Sequence, residues 1–146
     1  MLSSRLTHRV TGTAMATLML TAGAVAIASP AAAKANSMTL DRIALDTRNA
    51  PVIKAYLTYS CDPGSDVHVT TTATNLDTPD GSQPSIATTT LPNDKLICDA
   101  GRHVERLVLS PRPGAVFHQG DDVKAVASIV NPAGDEYAHD EKIATL

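Results

Sequence analysis

The sequence predicts an all-β fold, specifically a Greek-key β-sandwich of about seven strands. Turn-forming Gly, Pro, Asn and Asp residues recur about every 8–12 residues, which is the spacing of short strands in sandwiches and barrels. Between these turns, apolar and polar residues alternate with period two, as they do in half-buried strands. The chain has three Tyr, one Phe and no Trp, so we expect the core to be aliphatic.

The first 35 residues are predicted to be a cleaved signal peptide. Basic residues precede an apolar stretch of small residues at 14–28, and further small residues follow, which is the organisation of an export signal. Cleavage is expected after Ala35, with Ala33 as the alternative. The apolar stretch is shorter than the roughly 20 residues of a membrane span. We therefore expect no stable membrane anchor after cleavage, and a single secreted, extracellular domain at 36–146.

The charge of the chain argues against several classes of partner. Its 12 Lys and Arg and 15 Asp and Glu give a net charge of −3 at pH 7. Loss of residues 1–35 removes Arg5, Arg9 and Lys34 but no acidic residue, which leaves about −6. Because the chain has no basic stripe, no nucleic-acid partner is expected. An unidentified extracellular protein or cell-envelope component is the expected partner.

The first two predicted strands begin the domain. In the strand at 38–46, Leu40 and Ile43 break strict alternation, which indicates a β-bulge. In the strand at 52–60, apolar and polar residues alternate regularly. The alternation continues to Cys61, so the side chain of this cysteine is predicted to point into the core.

The middle of the domain is predicted to hold two further strands. Residues 62–65 have Pro and Gly at the second and third positions, as a type II turn requires. A strand at 67–74 follows this turn. The long polar stretch at 76–85 is predicted to be a surface loop, and a Thr-rich strand is expected at 86–91.

The C-terminal third is predicted to continue in the same way. A short strand at 95–98 leads to a second turn at 99–102, where the Cys-Asp-x-Gly unit of the first cysteine is repeated. The remaining strands are expected at 103–109, at 123–129 and at 137–145, giving seven or eight strands in all.

The two cysteines, Cys61 and Cys98, are the only ones in the chain, and each precedes a predicted turn. In an exported protein, two such cysteines most simply form a disulfide with each other. Closing a loop of about 37 residues corresponds to about 4 kcal/mol of stabilisation by chain entropy. A zinc site formed by both cysteines with His68 and His103 is the less favoured alternative, since alternation places His68 on the outward face.

Few other residues suggest chemistry. The histidines stand in no known metal or nucleophile motif, and His103 with Glu105 is interpreted as a surface pair. The acidic turns at 77–81 and 121–122 offer oxygen ligands for Ca²⁺, but they lack the ligand number and spacing of a calcium loop. We therefore predict no catalytic residue, no cofactor and no metal site, while calcium binding by the acidic turns is left open.

Three short motifs carry a resemblance to known proteins. They are Tyr59-Ser60-Cys61 at the end of a strand, Cys98-Asp99-Ala100-Gly101-Arg102-His103 at the start of a hairpin, and Phe117-His118-Gln119-Gly120-Asp121-Asp122-Val123 before an alternating strand. Over most of the mature chain, these motifs resemble a family of small secreted actinobacterial proteins with a domain of unknown function. In such relatives an aromatic residue often follows the His, where this chain has Val104. The resemblance implies an immunoglobulin-like sandwich and no known activity.

Three functional hypotheses follow from this sequence. The first is a non-enzymatic extracellular binding or structural module. The second is a secreted protease inhibitor that presents Arg112, the only basic residue in an exposed-looking corner, although Pro113 disfavours cleavage geometry at that position. A third hypothesis, an enzyme, is the least favoured, because the sequence shows no clear set of catalytic residues.

Overall fold

Seven strands make up almost all the regular structure of the described part of this protein. The computed structural model describes residues 36–46, 48, 52–79 and 81–146, which all belong to one compact unit. The predicted signal peptide, 1–35, with its alternative cleavage points at Ala33 and Ala35, lies outside the described residues. Among the described residues the only helix is a short 3₁₀ turn, so the prediction of an all-β fold is confirmed.

The strands follow one another at short intervals along the chain. They are β1 Ser37–Asp46, β2 Val52–Ser60, β3 His68–Asn75, β4 Ile86–Leu91, β5 His103–Pro111, β6 Asp122–Val130 and β7 Glu136–Thr145.

The predicted short strand at 95–98 is wrong. The chain instead forms a 3₁₀ turn at Asn93–Lys95 after Pro92. The N–H of Lys95 donates to the carbonyl of Pro92, and the N–H of Leu96 donates to that of Asn93, each at 3.0 Å. These local bonds hold the segment in a turn, and it then crosses to the end of β2 instead of pairing within the sheet.

The strands form one hydrogen-bonded sheet in the order β1-β2-β5-β4-β3-β6-β7, with all neighbours antiparallel. The junction between β4 and β5 is narrow, because only Ala87 with Pro111 and Thr88 with Ser110 are paired there. The sheet is thus divided into a three-stranded layer (β1, β2, β5) and a four-stranded layer (β4, β3, β6, β7). The connections from β2 to β3, from β4 to β5 and from β5 to β6 pass between the layers, as in a Greek key.

Side chains of both layers share one apolar core. Every second residue of β2 is buried, from Ile53 to Tyr59, and the same alternation is found in β3 and β6. The core is aliphatic except for Tyr59 and Phe117, as the composition predicts. Cys61 is fully buried at the end of the β2 alternation, so the inward direction predicted for its side chain is confirmed.

The first strand carries the predicted bulge and borders the last strand. The pairing of β1 with β2 shifts register between Leu40 and Arg42. Beside this bulge, the N–H of Leu40 donates to Asp140 Oδ2 at 2.7 Å, and Lys142 Nζ donates to the carbonyl of Asp41 at 2.6 Å. Side chains of β7 therefore satisfy backbone groups of β1 where no backbone ladder joins the two strands.

The turn after the first cysteine has the predicted geometry. The N–H of Ser65 donates to the carbonyl of Asp62 at 3.1 Å, and Gly64 has a φ of 72°. A positive φ at the third position is what a type II turn needs.

Candidate functional site

The two cysteines form a disulfide, as the sequence predicts. Cys61 and Cys98 are joined with a Cα–Cα distance of 4.7 Å across a sequence separation of 37 residues. Cys61 follows β2 of the three-stranded layer, whereas Cys98 lies in the segment that connects β4 to β5. Because both sulfurs are used in this bond, the alternative zinc site with His68 and His103 is not formed.

The second cysteine turn differs from the first in which residue has the left-handed conformation. Ala100, not Gly101, has a positive φ, of 64°. A Cβ on Gly101 would lie 2.7 Å from Asp99 Oδ1, so a larger residue here would displace the Asp99 carboxylate. The same oxygen, Asp99 Oδ1, accepts a hydrogen bond from the N–H of Gly101 at 2.7 Å. The turn is thus built around the Asp99 carboxylate.

The Asp99 carboxylate also holds His103 at the start of β5. His103 Nε2 lies 2.7 Å from Asp99 Oδ1, and its ring centroid is 5.7 Å from that of Tyr59. The hydrogen bond with His103, followed by that from the Gly101 N–H, lowers the pKa of the Asp99 carboxyl below its ordinary value of 3.8. The partner that the structure gives His103 is therefore Asp99, and not Glu105 as interpreted from the sequence.

The two acidic turns that the sequence singles out meet at one end of the sandwich. Asp77 Oδ2 accepts from the N–H of Asp122 at 2.6 Å. Asp121 Oδ2 accepts from Asn75 Nδ2 at 2.7 Å and from the N–H of His118 at 2.8 Å. These carboxylates therefore tie the loop after β3 to the loop before β6.

The described residues of this acidic end form a hydrogen-bonded network. Asp122 Oδ1 accepts from the hydroxyl of Thr145 at 2.6 Å, and Asn75 Oδ1 accepts from the N–H of Asp77 at 2.8 Å. No group of three or more His, Cys, Asp or Glu side chains within 36–46, 48, 52–79 and 81–146 is arranged to hold a metal ion. Asp80, which belongs to the first acidic turn, lies outside the described residues.

The histidines do not gather in one place. His139 Nδ1 lies 2.7 Å from Glu136 Oε1 on β7, and His118 Nδ1 lies 3.7 Å from Asp121 Oδ2. His68 begins β3 opposite Val130 and is half-buried. His118 and Asp121 share a cleft of about 330 Å³ with Ser82 and Ser85. Within this cleft, Ser85 Oγ accepts a hydrogen bond from the N–H of Val116 at 2.9 Å.

Arg112 lies in a tight corner beside a cleft of about 240 Å³. Its N–H donates to the carbonyl of Ile86, and its own carbonyl accepts from the N–H of Ala115, both at 2.9 Å. Gly114 follows with a φ of 83°. Both backbone groups of Arg112 are therefore engaged within the protein, whereas a protease needs an extended segment whose backbone is free to pair.

The outer face of the three-stranded layer combines arginine, tyrosine and valine side chains. Across the three strands, Arg42 of β1 is opposite Tyr56 of β2, and Tyr56 is opposite Arg106 of β5. The guanidinium carbon of Arg42 lies 6.0 Å from the centre of the Tyr56 ring, within the range of a cation–π contact. The three residues form one row across the layer.

Two exposed valines flank this row on β5. Val104 is 73% exposed and Val108 is 47% exposed, and Arg106 is exposed between them. Among the described residues Arg106 has no ion-pair partner, whereas Lys54 on the same face pairs with Asp46 at 2.8 Å. We call Arg42, Tyr56, Val104, Arg106 and Val108 the outer patch.

Sequence patterns identify only part of the outer patch. Alternation in β2 predicts that Tyr56 points outward. At the end of β5, however, residues 107–109 are all apolar, so alternation does not predict that Val108 points outward. The outward direction of Arg42 depends on the bulge after Leu40, which moves the following residues to the opposite face. The row of Arg42, Tyr56 and Arg106 exists only through strand pairing between segments far apart in sequence.

Comparison with known proteins adds no further assignment. No protein-family model matches the chain, and no curated protein matches it. In the part of the chain described by the structure, no helix has the length and apolar character needed to cross a membrane.

Proposed function

We propose that this protein is a secreted, non-enzymatic binding module and that the outer patch is its binding surface. One observation carries the proposal. Two exposed valines stand on either side of an arginine that has no ion-pair partner among the described residues. A surface that gained nothing from a partner would more simply carry polar residues at these positions.

The composition of the outer patch supports an interface with another protein. Arg and Tyr are enriched in protein interfaces, where they supply both apolar contact area and hydrogen bonds. The Arg42 guanidinium beside the Tyr56 ring is one such pair. The patch also lies on a sheet, whose side chains are held in place by cross-strand neighbours, so little ordering is needed on binding.

The proposed extracellular location rests on the predicted signal peptide and agrees with the disulfide. Disulfides persist in oxidising compartments and are rare in the cytosol. The Cys61–Cys98 bond is therefore what we expect in an exported protein. The partner is accordingly an extracellular protein or a protein of the cell envelope.

The proposed fold family is an immunoglobulin-like sandwich. When the strands are lettered A to G in chain order, the observed sheet order reads A-B-E-D-C-F-G. This is the order obtained by placing the ABED sheet of an immunoglobulin constant-type domain beside its CFG sheet, although here strand D belongs to the layer of strands C, F and G. It supports the expectation from the resemblance to small secreted actinobacterial proteins, and domains of this architecture commonly bind other proteins through exposed faces or loops.

An affinity-capture experiment with surface variants tests the proposed function. The protein produced from the full-length chain is immobilised and exposed to the culture fluid and envelope extract of the producing organism. The test variant is Val104→Ser with Val108→Ser. The matched control is Ile97→Ser with Ile143→Ser, because these two residues are 56% and 64% exposed but lie outside the outer patch.

The expected result is a specific captured protein that the control retains and the test variant loses. Melting curves of both variants should match that of the native protein, since only exposed side chains change. Equal capture by the native protein and the test variant contradicts the assignment of the outer patch. Capture no better than that by an unrelated sandwich protein contradicts the binding function itself.

A further inference from the structure

The edge of β5 that faces away from β2 is open. From His103 to Leu109, β5 pairs with β2 on one side. On the other side, β4 pairs only with Ser110 and Pro111. Among the described residues, no other backbone hydrogen bond reaches His103–Leu109. Half of the backbone groups along this segment are therefore available to another chain, as in any edge strand.

The opposite side of the sandwich shows how this protein closes an edge. At the junction of β1 and β7, a bulge interrupts β1, and the side chains of Asp140 and Lys142 occupy its backbone groups. Bulges and inward-pointing charges are the devices that keep sheet edges from pairing with other chains. No side chain among the described residues binds the backbone of His103–Leu109 in this way, so the β5 edge lacks the protection given to β1.

The side chains beside the open edge define what would fit there. Val104, Arg106 and Val108 point outward in alternation, apolar, cationic and apolar. In an antiparallel pair, directly opposite residues lie on the same face and contact each other. A strand added to β5 would therefore place its own outward residues beside these three, with a carboxylate favoured opposite Arg106 and apolar side chains favoured opposite the valines.

A residue on the inner face of the same edge further restricts which peptide segments fit. Glu105 is half-buried on the inner face of β5, opposite Leu57 of β2. An acidic residue next to it on an added strand would be repelled. The preferred segment thus carries its carboxylate on the outward face only.

We propose that the open edge of β5, His103–Leu109, binds an extended acidic peptide segment of a partner protein as an additional antiparallel strand, with a carboxylate of the peptide paired to Arg106. This inference rests on the proposed function and specifies its partner. Strand addition provides affinity through backbone hydrogen bonds and selectivity through alternate side chains. The Arg42 guanidinium, in the same row as Arg106, adds positive charge to a molecule that is otherwise acidic.

A designed peptide tests this proposal directly. The probe is an acetylated and amidated heptapeptide, Ser-Val-Ser-Glu-Ser-Val-Ser, titrated to millimolar concentration into the protein produced from the full-length chain. Backbone amide shifts are followed by NMR. Saturable shifts concentrated in β5 are expected, and the same peptide with Lys in place of Glu should bind about tenfold more weakly. Absence of shifts in β5 at millimolar peptide overturns the proposal.

Charge reversal tests the pairing with Arg106. Arg106→Glu is expected to weaken binding of the Glu peptide about tenfold and to restore binding of the Lys peptide. Arg106→Gln, which keeps a long polar side chain, should weaken binding of the Glu peptide without favouring the Lys peptide. Equal affinity of the native protein and Arg106→Glu for the Glu peptide contradicts the pairing.

N-methylation tests the strand itself. Two further peptides carry N-methyl groups on alternate residues, one on the odd positions and the other on the even positions. Since an edge strand directs only alternate backbone N–H groups to its neighbour, one of them should lose binding and the other should retain it. Equal binding of both peptides means contact through the outer face alone. That outcome overturns strand addition and leaves the proposed binding function intact, which the capture experiment decides separately.

Discussion

At the scale of single residues, carboxylates organise the ends of the sandwich. Asp99 binds the N–H of Gly101 and the ring of His103, and Asp121 binds Asn75 and the N–H of His118. In each case an aspartate satisfies backbone donors that no strand pairs, which is the role that aspartate commonly has in turns. The sequence repeats Cys-Asp-x-Gly for reasons of turn geometry, and the structure shows no ligand chemistry in that repeat.

The interaction of Asp99 with His103 predicts that the stability of the protein depends on pH in the acidic range. The pKa of Asp99 is lowered in the folded protein by His103 and then by Gly101. A lowered folded pKa contributes stability above the unfolded value, and this contribution is lost as the pH falls through the folded value. We therefore expect the stability to decline below about pH 4, and the decline to be smaller in Asp99→Asn.

Urea unfolding between about pH 2 and 6 measures this effect. Asp94→Asn, in the exposed 3₁₀ turn, is the matched control and should follow the native curve. An acid decline that is identical in Asp99→Asn and in the native protein would show that Asp99 does not contribute to it.

A buried hydroxyl provides a second prediction at this scale. Thr71 is 1% exposed on the inner face of β3, and its Oγ1 has no hydrogen-bond partner among the described residues. Burial of an unsatisfied hydroxyl is unfavourable. Thr71→Val, which replaces the hydroxyl with a methyl group of similar size, should raise the free energy of unfolding by about 1 kcal/mol.

Chemical unfolding of Thr71→Val beside Thr72→Val tests this prediction. Thr72 is the next residue of β3 and points outward, so its change should have a much smaller effect. A loss of stability in Thr71→Val would indicate that the hydroxyl has a partner in solution, such as a bound water.

At the scale of the strands, alternation predicts most of the structure. The strands β2, β3 and β6 follow the period-two pattern closely, and even the bulge of β1 is predicted by its break. The segment at 95–98 is the exception, because Leu96 and Ile97 are apolar without belonging to a strand. Leu96 packs against the core from a loop, and Ile97 is held by the hydroxyl of Tyr59, which accepts its N–H at 3.1 Å. Apolar residues in a covering loop resemble a short strand in sequence.

The outer patch and the open edge could not be predicted in the same way. Alternation shows which residues of a strand share a face, but it does not show which strands are neighbours. The row of Arg42, Tyr56 and Arg106 requires β1, β2 and β5 to be adjacent, and the open edge requires β4 to leave β5 after two residue pairs. Both are properties of long-range pairing.

The contacts between β1 and β7 predict that substitution of Lys142 lowers the stability of the protein. This half-buried lysine donates to the carbonyls of Asp41 and Leu40, at 2.6 and 3.4 Å. Lys142→Met keeps most of the apolar stem but leaves these carbonyls without a donor. We expect a loss of about 1–2 kcal/mol in the free energy of unfolding and some self-association through the uncovered β1 edge.

Lys124→Met is the control for Lys142→Met. Lys124 pairs with Glu141 at 2.8 Å on the outside of the four-stranded layer, where ion pairs contribute little. Unfolding curves and sedimentation at several concentrations distinguish the two variants. Equal stability of the two would show that the contact between Lys142 and β1 is not important for folding.

At the scale of the whole molecule, the disulfide holds the segment that connects the two layers against the end of β2. The segment 92–102 leaves β4 in the four-stranded layer and enters β5 in the three-stranded layer, and Cys98 within it is bonded to Cys61 at the end of β2. The layers share one apolar core, but among the described residues their strands are paired at only two positions, between β4 and β5. The bond therefore reinforces a connection that has few backbone hydrogen bonds.

Removal of the disulfide should accordingly be costly for stability. The double variant Cys61→Ala with Cys98→Ala, which leaves no free thiol, is expected to lose up to about 4 kcal/mol. Thermal unfolding with and without a reductant measures this loss. Reductant should lower the melting temperature of the native protein and leave that of the variant unchanged, and a native melting temperature insensitive to reductant would contradict the prediction.

The directions of the first and last strands determine how the domain responds to pulling. Six successive antiparallel pairings from β1 to β7 make these two strands run the same way, so Ser37 and Thr145 lie at opposite ends of the sandwich. A tension applied between these ends slides β1 along β7. The bonds of Asp140 and Lys142 to β1 are then loaded in shear and must break together, not one after another. We therefore expect the two side chains that cover the β1 edge at rest to share the mechanical load with the ladder between β1 and β2 when the domain is stretched.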